Sequence, residues 1–494
     1  MSKKPKVEEH EIVILGSGLG GLIAGAYLSR MNRNVLLLKE RRYQSSFVRD
    51  SYRFVPFSNF SERRPKHSLL QKISRTLNLP LLADDREDGR KVYRSFEKTK
   101  QESTFQVILP KARVDLFYQR SIFRKEWKRE FSKETDRIAD FYKEMERIGP
   151  LLRRLKSKGD PWSAFPIHPS PWIKRWLPFK SLPSERMDEK LSPFSKEFRE
   201  FIKLQLISWG NLYSDRFPFY LAAYLLLQDE GGEWISEIDL EGIKKKILEI
   251  FVLSGGRVEE IEGVEKIERR WWRRFVVSLK EEARVLETRF LVLNSPLHHL
   301  SYLLGKKERK LSRWRQKIQP RYALLPLFLG IDEKVVPVGM RDLLVSILDL
   351  EKPYGGGNLL LVHLGPKGDE ECAPKGKRAV TVESLIPVEQ LDPRSLDEHL
   401  KGVMRHLHHL FPFLEHYIEF TDWSWAKEQS LCWSYPHFLY ETNHDFKWGK
   451  GLVPARLSRN LYFVGKENFP YLGLEGEVLS GRLVAKLLLE KFKS

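Results

Sequence analysis

Four glycines and one acid near the N-terminus have the types and spacing to hold a phosphate and a ribose. Gly16, Gly18, Gly20 and Gly21 stand together after the run Ile-Val-Ile-Leu, and Glu40 ends the run Val-Leu-Leu-Leu-Lys-Glu. Gly16 permits a tight turn, Gly18 lets backbone approach phosphate oxygens, and Gly21 lets a helix sit close on a strand. Backbone N–H groups and a helix N-terminus then face a pyrophosphate. Glu40 follows Gly21 by about twenty residues, where a carboxylate accepts hydrogen bonds from ribose hydroxyls.

The elements that position these residues read in order: a strand, a glycine turn, a small-residue helix continuing past Gly25, and a second strand closed by the acid. That context makes an adenine dinucleotide the reading of the motif, against an ordinary glycine-rich α/β turn. A second strand–turn–helix closes the chain: Leu-Tyr-Phe-Val from Leu461, then Gly465-Lys466-Glu467, Gly473 and Gly476, then a helix over 477–491. Its glycines again leave room for a ligand against backbone.

At 494 residues the chain is long enough for several domain-sized cores. Its 41% hydrophobic and 31% charged content belongs to a folded, water-facing protein and excludes a disordered one. Two cysteines, Cys372 and Cys432, build no disulfide framework and have no metal-ligand spacing, so a reducing cytoplasmic location is expected. The first residues lack the apolar core of a secretory signal. No apolar run reaches the ~18 residues of a spanning helix; the longest, 217–227, is short and holds Pro218. A formal charge of +19 favours anionic surfaces, either acidic lipid or nucleic acid, with a solvated basic surface as the bland alternative.

Between the two end motifs the pattern predicts short strands over 52–57 and basic helix-forming sequence over 111–158. A proline- and tryptophan-rich loop covers 160–183, and helical pattern returns over 195–227 and 240–253. Gly255-Gly256 ends that helix. A meander follows, with Val258, Ile261, Val264 and Ile267 on its first strand and further strands over 274–279 and 288–293, closing at Asn294-Ser295-Pro296. Strands dominate 323–386, and a helix over 396–410 stops before Pro412.

Together the two end motifs resemble those of the phytoene desaturase-like (carotenoid dehydrogenase and retinol saturase) branch of the flavin amine-oxidase superfamily. The resemblance implies an α/β fold: a discontinuous Rossmann-like FAD-binding domain (1–110, 231–300, 450–494) with an inserted mixed β-sheet and helical substrate domain (111–230, 301–449). It implies FAD as cofactor, held at both chain ends, with Gly16, Gly18, Gly20, Gly21, Glu40, Val264, Gly465, Glu467, Gly473 and Gly476 as its binding residues. Val264 would meet adenine through its backbone, and the final helix N-terminus would face the flavin ring. A nicotinamide enzyme would not need the C-terminal segment. The implied activity is desaturation or saturation of carbon–carbon bonds in an isoprenoid-like lipid. Alternatives are an amine-oxidase or protoporphyrinogen-oxidase-like flavoprotein, or a non-catalytic flavin- or lipid-binding relative. Three departures keep the last one open: Ser45-Ser46 where the family has glycines, Ser236-Glu237 for a second glycine pair, and Lys466 for an acid.

Such chemistry needs an apolar tunnel more than an acid/base pair, and no catalytic residue is assigned. His406, His408 and His409 are expected on a helix surface, without the converging carboxylates or cysteines of a metal site. His298 and His299 read as a helix start, and His437 as packing or a substrate contact. The clusters 172–180 and 269–274 mix Trp or Phe with Lys and Arg. They suit peripheral contact with an anionic membrane, from which a lipophilic substrate is drawn, better than nucleic acid, for which no recognised fold is present. The sequence leaves oligomeric state and substrate identity unassigned.

Overall fold

The computed structural model describes residues 7–44, 46–54, 63–64, 103–117, 119–157, 185–213, 217–227, 233–234, 237–270, 274–280, 284–304, 314–430, 437–442 and 451–493. Outside them lie Ser45, residues 55–57, the 160–183 loop with its Trp172 cluster, Gly231-Gly232, Ser236, the 271–273 tip of the second cluster, and residues 433–436.

Strand β1 (Val7–Leu15) is central to the first sheet, followed by helix α1 (Leu19–Arg30) and strand β2 (Val35–Glu40). Ile12–Leu15 and Val35–Leu38 are wholly buried, the continuous apolar run of parallel strands covered on both faces. The sheet runs Arg257–Ile261, β2, β1, Val285–Leu293, Phe275–Leu279, Val264–Arg269. Strand Val285–Leu293 pairs with β1 along one edge and divides its other edge between two neighbours. Its first half pairs with the antiparallel meander, and Leu291–Leu293 pair in parallel with Leu461–Phe463. That division brings the chain's closing motif beside its opening one.

The second sheet has nine strands among the described residues, built around Gln319–Asp332, which pairs along eleven residues with Lys377–Pro387. Strand Ser103–Leu109, read from sequence as part of the first domain, pairs here with Leu343–Ile347. Residues 112–117, expected as helix, are instead its antiparallel partner; Val114 alternates inward and the exposed Arg113 outward. The helical stretch 195–227 is two helices, Lys196–Trp209 and Phe219–Leu226. The first is capped by the Ser195 hydroxyl accepting from Phe198 N, and Pro218 precedes the second. Phe47, Tyr52 and Phe54, on a hairpin just past β2, pack on Phe328 and Phe420 of the second sheet, joining the two layers through aromatic faces.

Helix Pro393–Leu410 corrects one expectation. His408 and His409 are exposed, but His406 is fully buried. Its Nδ1 donates to Gly357 O at 2.9 Å and its Nε2 accepts from the Ser346 hydroxyl at 2.8 Å, which fixes a neutral tautomer. Its helical period, one face inward every three to four residues, places His399 inward as well. Among the described residues no helix is long and apolar enough to cross a membrane, and no cluster of metal-ligating side chains occurs.

Candidate functional site

The glycine turn is closed by a residue that motif reading passed over. Gly16 adopts φ +105°, a left-handed conformation that L side chains avoid, and its N–H donates to Leu38 O. Behind it stands Asn294, at the end of Val285–Leu293. Asn294 N donates to Leu15 O at 2.7 Å, its Oδ1 accepts from Gly21 N at 3.2 Å, and its Nδ2 donates to Val464 O at 2.9 Å. One buried amide thus ties β1, α1 and the closing motif together. A Cβ at Gly21 would stand 2.4 Å from Asn294 Oδ1, so only glycine fits there.

The closing motif is built in the same way. Val464 N donates to Leu293 O, and the buried Asn468 accepts from Gly465 N and donates to Val453 O. Helix Gly473–Lys493 then packs against α1, where Gly481 lies so close that a Cβ would meet Gly20 O at 2.3 Å. The two chain ends are therefore in contact.

Between them lies a cavity of about 430 Å³, within the range of small-molecule sites. Gly18, Gly465 and Glu467, three of the expected site residues, line it. Gly16, Gly20 and Gly21 stand behind the wall, packed on Asn294, Val464 and Glu477; Gly473 and Gly476 shape the start of the final helix, the latter against Phe469. Val264 is buried away from the cavity, and Val258, paired with Leu37, lines it. Glu40 is buried and does not line it either.

Strand parity accounts for Glu40. Successive side chains of β2 point to opposite faces, and Leu37, Lys39 and Arg41 reach the cavity. The wall that motif reading gave to a carboxylate therefore carries Lys39, paired with Glu260 at 2.9 Å. Lys244, Lys245 and Lys466 add further cations, and Glu241, Glu467 and Glu477 are the acids. Counting two residues on from Leu37, instead of taking the nearest acid, would have found Lys39 in the sequence. Nothing local marks Asn294 or Glu477, whose roles arise from contacts across the whole chain.

Glu467 accepts from Leu297 N at 2.8 Å and from the Tyr440 hydroxyl at 2.9 Å. Burial pushes its carboxyl above the usual carboxylate range. Burial, then the neighbouring Glu467, raises the Tyr440 phenol well above its ordinary value, so it stays a donor. His437 is buried with Nε2 3.3 Å from the Tyr43 hydroxyl, and Tyr43 itself lines the cavity. His298, in the short helix Leu297–Leu303, packs edge-on against Phe438. Burial, with help from His299 and Arg315, lowers its pKa to about 3 and keeps it neutral.

No protein-family model matches the chain, and no curated protein matches it in sequence. Solved structures do. An oxidoreductase from Methanosarcina mazei aligns at 17% identity and TM-score 0.59, over 96% of this chain and 100% of its own. Cyclohexylamine oxidase from Brevibacterium oxydans aligns at 15% and 0.57, over 99% and 100%. Putrescine oxidase bound to putrescine aligns at 13% and 0.61, over 98% and 100%. At such identities the likeness establishes the fold: the chain has the two-layer architecture of these enzymes along nearly its whole length.

Proposed function

We propose that the chain is an FAD-dependent oxidoreductase acting on carbon–carbon bonds of an isoprenoid-like lipid. The observation that carries the cofactor reading is the single cavity wall shared by the opening glycine turn and the closing Gly465–Glu467 segment. A long, phosphate-bearing molecule needs both ends of such a cradle, and the glycines leave its backbone bare. The fold shared with three oxidoreductases supports the same reaction class. Gly18 and Gly465 would hold the cofactor by backbone, and Val258 and Leu37 would flank its adenosine end. When bound, a flavin would supply hydride transfer to or from an allylic carbon. The chain's own part is to position and to exclude water. Tyr440 and Glu467 form a buried pair that fixes the wall beside Gly465.

The substrate would be lipophilic and drawn from an anionic membrane surface, a reading supported by the basic charge of the chain. Amine oxidation is the second reading, favoured by the two amine oxidases that share the fold. Mass spectrometry of small molecules released on denaturation, followed by turnover assays on polyenes and on amines, tests both. Released FAD with polyene turnover upholds the first reading and amine turnover the second. A chain that neither carries nor binds FAD overturns both. Flotation with anionic vesicles, against neutral ones, tests the membrane contact.

A further inference from the structure

The first turn of α1 has no capping side chain of its own. Its N-cap is Gly18, and the turn contains no acid. The amides of that turn, which no carbonyl of the helix itself accepts, are the groups that would receive a ligand phosphate. Gly21 N is taken by Asn294, but Gly20 N donates to a carboxylate from the other end of the chain, Glu477 Oε1 at 3.4 Å. The same oxygen lies 3.1 Å from where a Cβ on Gly18 would stand. Glu477 is 8% exposed, sits in the second turn of the final helix, and lines the cavity beside Ser17, Gly18 and Leu19. An anion is therefore already seated where the cofactor reading requires one.

A carboxylate and a phosphate cannot share one set of amides. Both are negative, and in a buried site their repulsion is screened far less than in water. The existing contact is also weak, a single hydrogen bond longer than the usual N–H···O range of about 2.7–3.2 Å. We propose that Glu477 is an internal stand-in for the ligand's phosphate, a specificity-determining residue that occupies the glycine turn and must withdraw before a dinucleotide enters. Resting on the dinucleotide reading, this makes FAD a weakly held, exchangeable ligand of the wild-type chain. It also makes the cavity favour ligands able to displace a carboxylate. Lys39, Arg41, Lys244, Lys245 and Lys466 on the same walls supply the compensating positive field that brings an anionic ligand to the turn.

The test compares full-length wild type, Glu477→Gln and Glu477→Ala for binding of FAD, ADP and adenosine by isothermal titration, with circular dichroism to establish folding. Glu477→Gln keeps the side-chain shape and removes only the charge, so it decides the matter should the alanine variant fail to fold. Expected is a gain of tenfold or more in affinity for FAD and for ADP, and none for adenosine, which has no phosphate. Unchanged or weaker ADP and FAD binding in a folded Glu477→Gln variant overturns the proposal, as does an equal gain for adenosine. If ADP gains while FAD binds no better than ADP, the stand-in role holds and it is the flavin reading that falls.

Discussion

Replacing Asn294 by alanine removes a side chain that joins both chain ends at the close of strand Val285–Leu293. Two buried partners, Gly21 N and Val464 O, lose their hydrogen bonds at 3.2 and 2.9 Å. Each stranded buried group costs roughly 1–3 kcal/mol, toward the lower end here because Asn294 lines the cavity and water can reach its place. The expected loss is about 3 kcal/mol of local stability, centred on the turn and on the segment after Phe463. Hydrogen exchange reads this directly: protection of the Gly21 amide and of peptides spanning 461–468 should fall by roughly a hundredfold, with the second sheet unchanged. Asn294→Asp separates the two bonds. It keeps the acceptor for Gly21 N, loses the donor to Val464 O, and adds a negative charge behind the turn. Exchange at Gly21 should then stay near wild type while 461–468 loosens. If Asn294→Ala leaves both regions protected to within threefold of wild type, the two ends are held by something else and the account of the cradle is wrong.

Gly481→Ala places a methyl 2.3 Å from Gly20 O, so the final helix must move off α1; a loss of about 1–3 kcal/mol in urea denaturation is expected, and no loss would mean that contact is loose. Tyr440→Phe removes the hydroxyl that donates to Glu467. It should cost about 1–3 kcal/mol by thermal or urea melts, because a buried carboxyl group loses a donor. A fourth prediction concerns pH. Burial lowers the pKa of His399 and of His406 to about 4, below the unfolded value near 6.5, so the unfolded chain takes up the protons first. Their contribution is complete above about pH 6.5 and is lost as pH falls toward 4, roughly 2 kcal/mol for each histidine by pH 5. Urea midpoints between pH 7 and 5 should fall accordingly, and His406→Gln should flatten the slope. An equal slope in wild type and variant would refute the assignment.

The amino-acid sequence by itself determined the local units. Uninterrupted apolar runs at 12–15 and 35–38 specify parallel strands covered on both faces. Gly16 specifies a left-handed turn, and small residues after it specify a helix pressed close to its neighbours. These are properties of a few adjacent residues, and the closing motif at 461–476 was legible for the same reason. Periodicity spoke less clearly at 112–117, a short strand that opens a long basic helix-forming stretch and reads with it as helix, and at His406, whose burial depends on Ser346 and Gly357 supplying partners from distant chain.

Tertiary structure decided which side chains face the cavity. Strand parity turned Glu40 away and brought Lys39 in, and parity is fixed only when the sheet is assembled and one face is closed. The pairing of Leu291–Leu293 with Leu461–Phe463 set the distance between the ends, and with it the placement of Asn294 and Glu477. A hydrogen bond between residues 20 and 477 has no local signature, since its energy appears only after the intervening chain has folded.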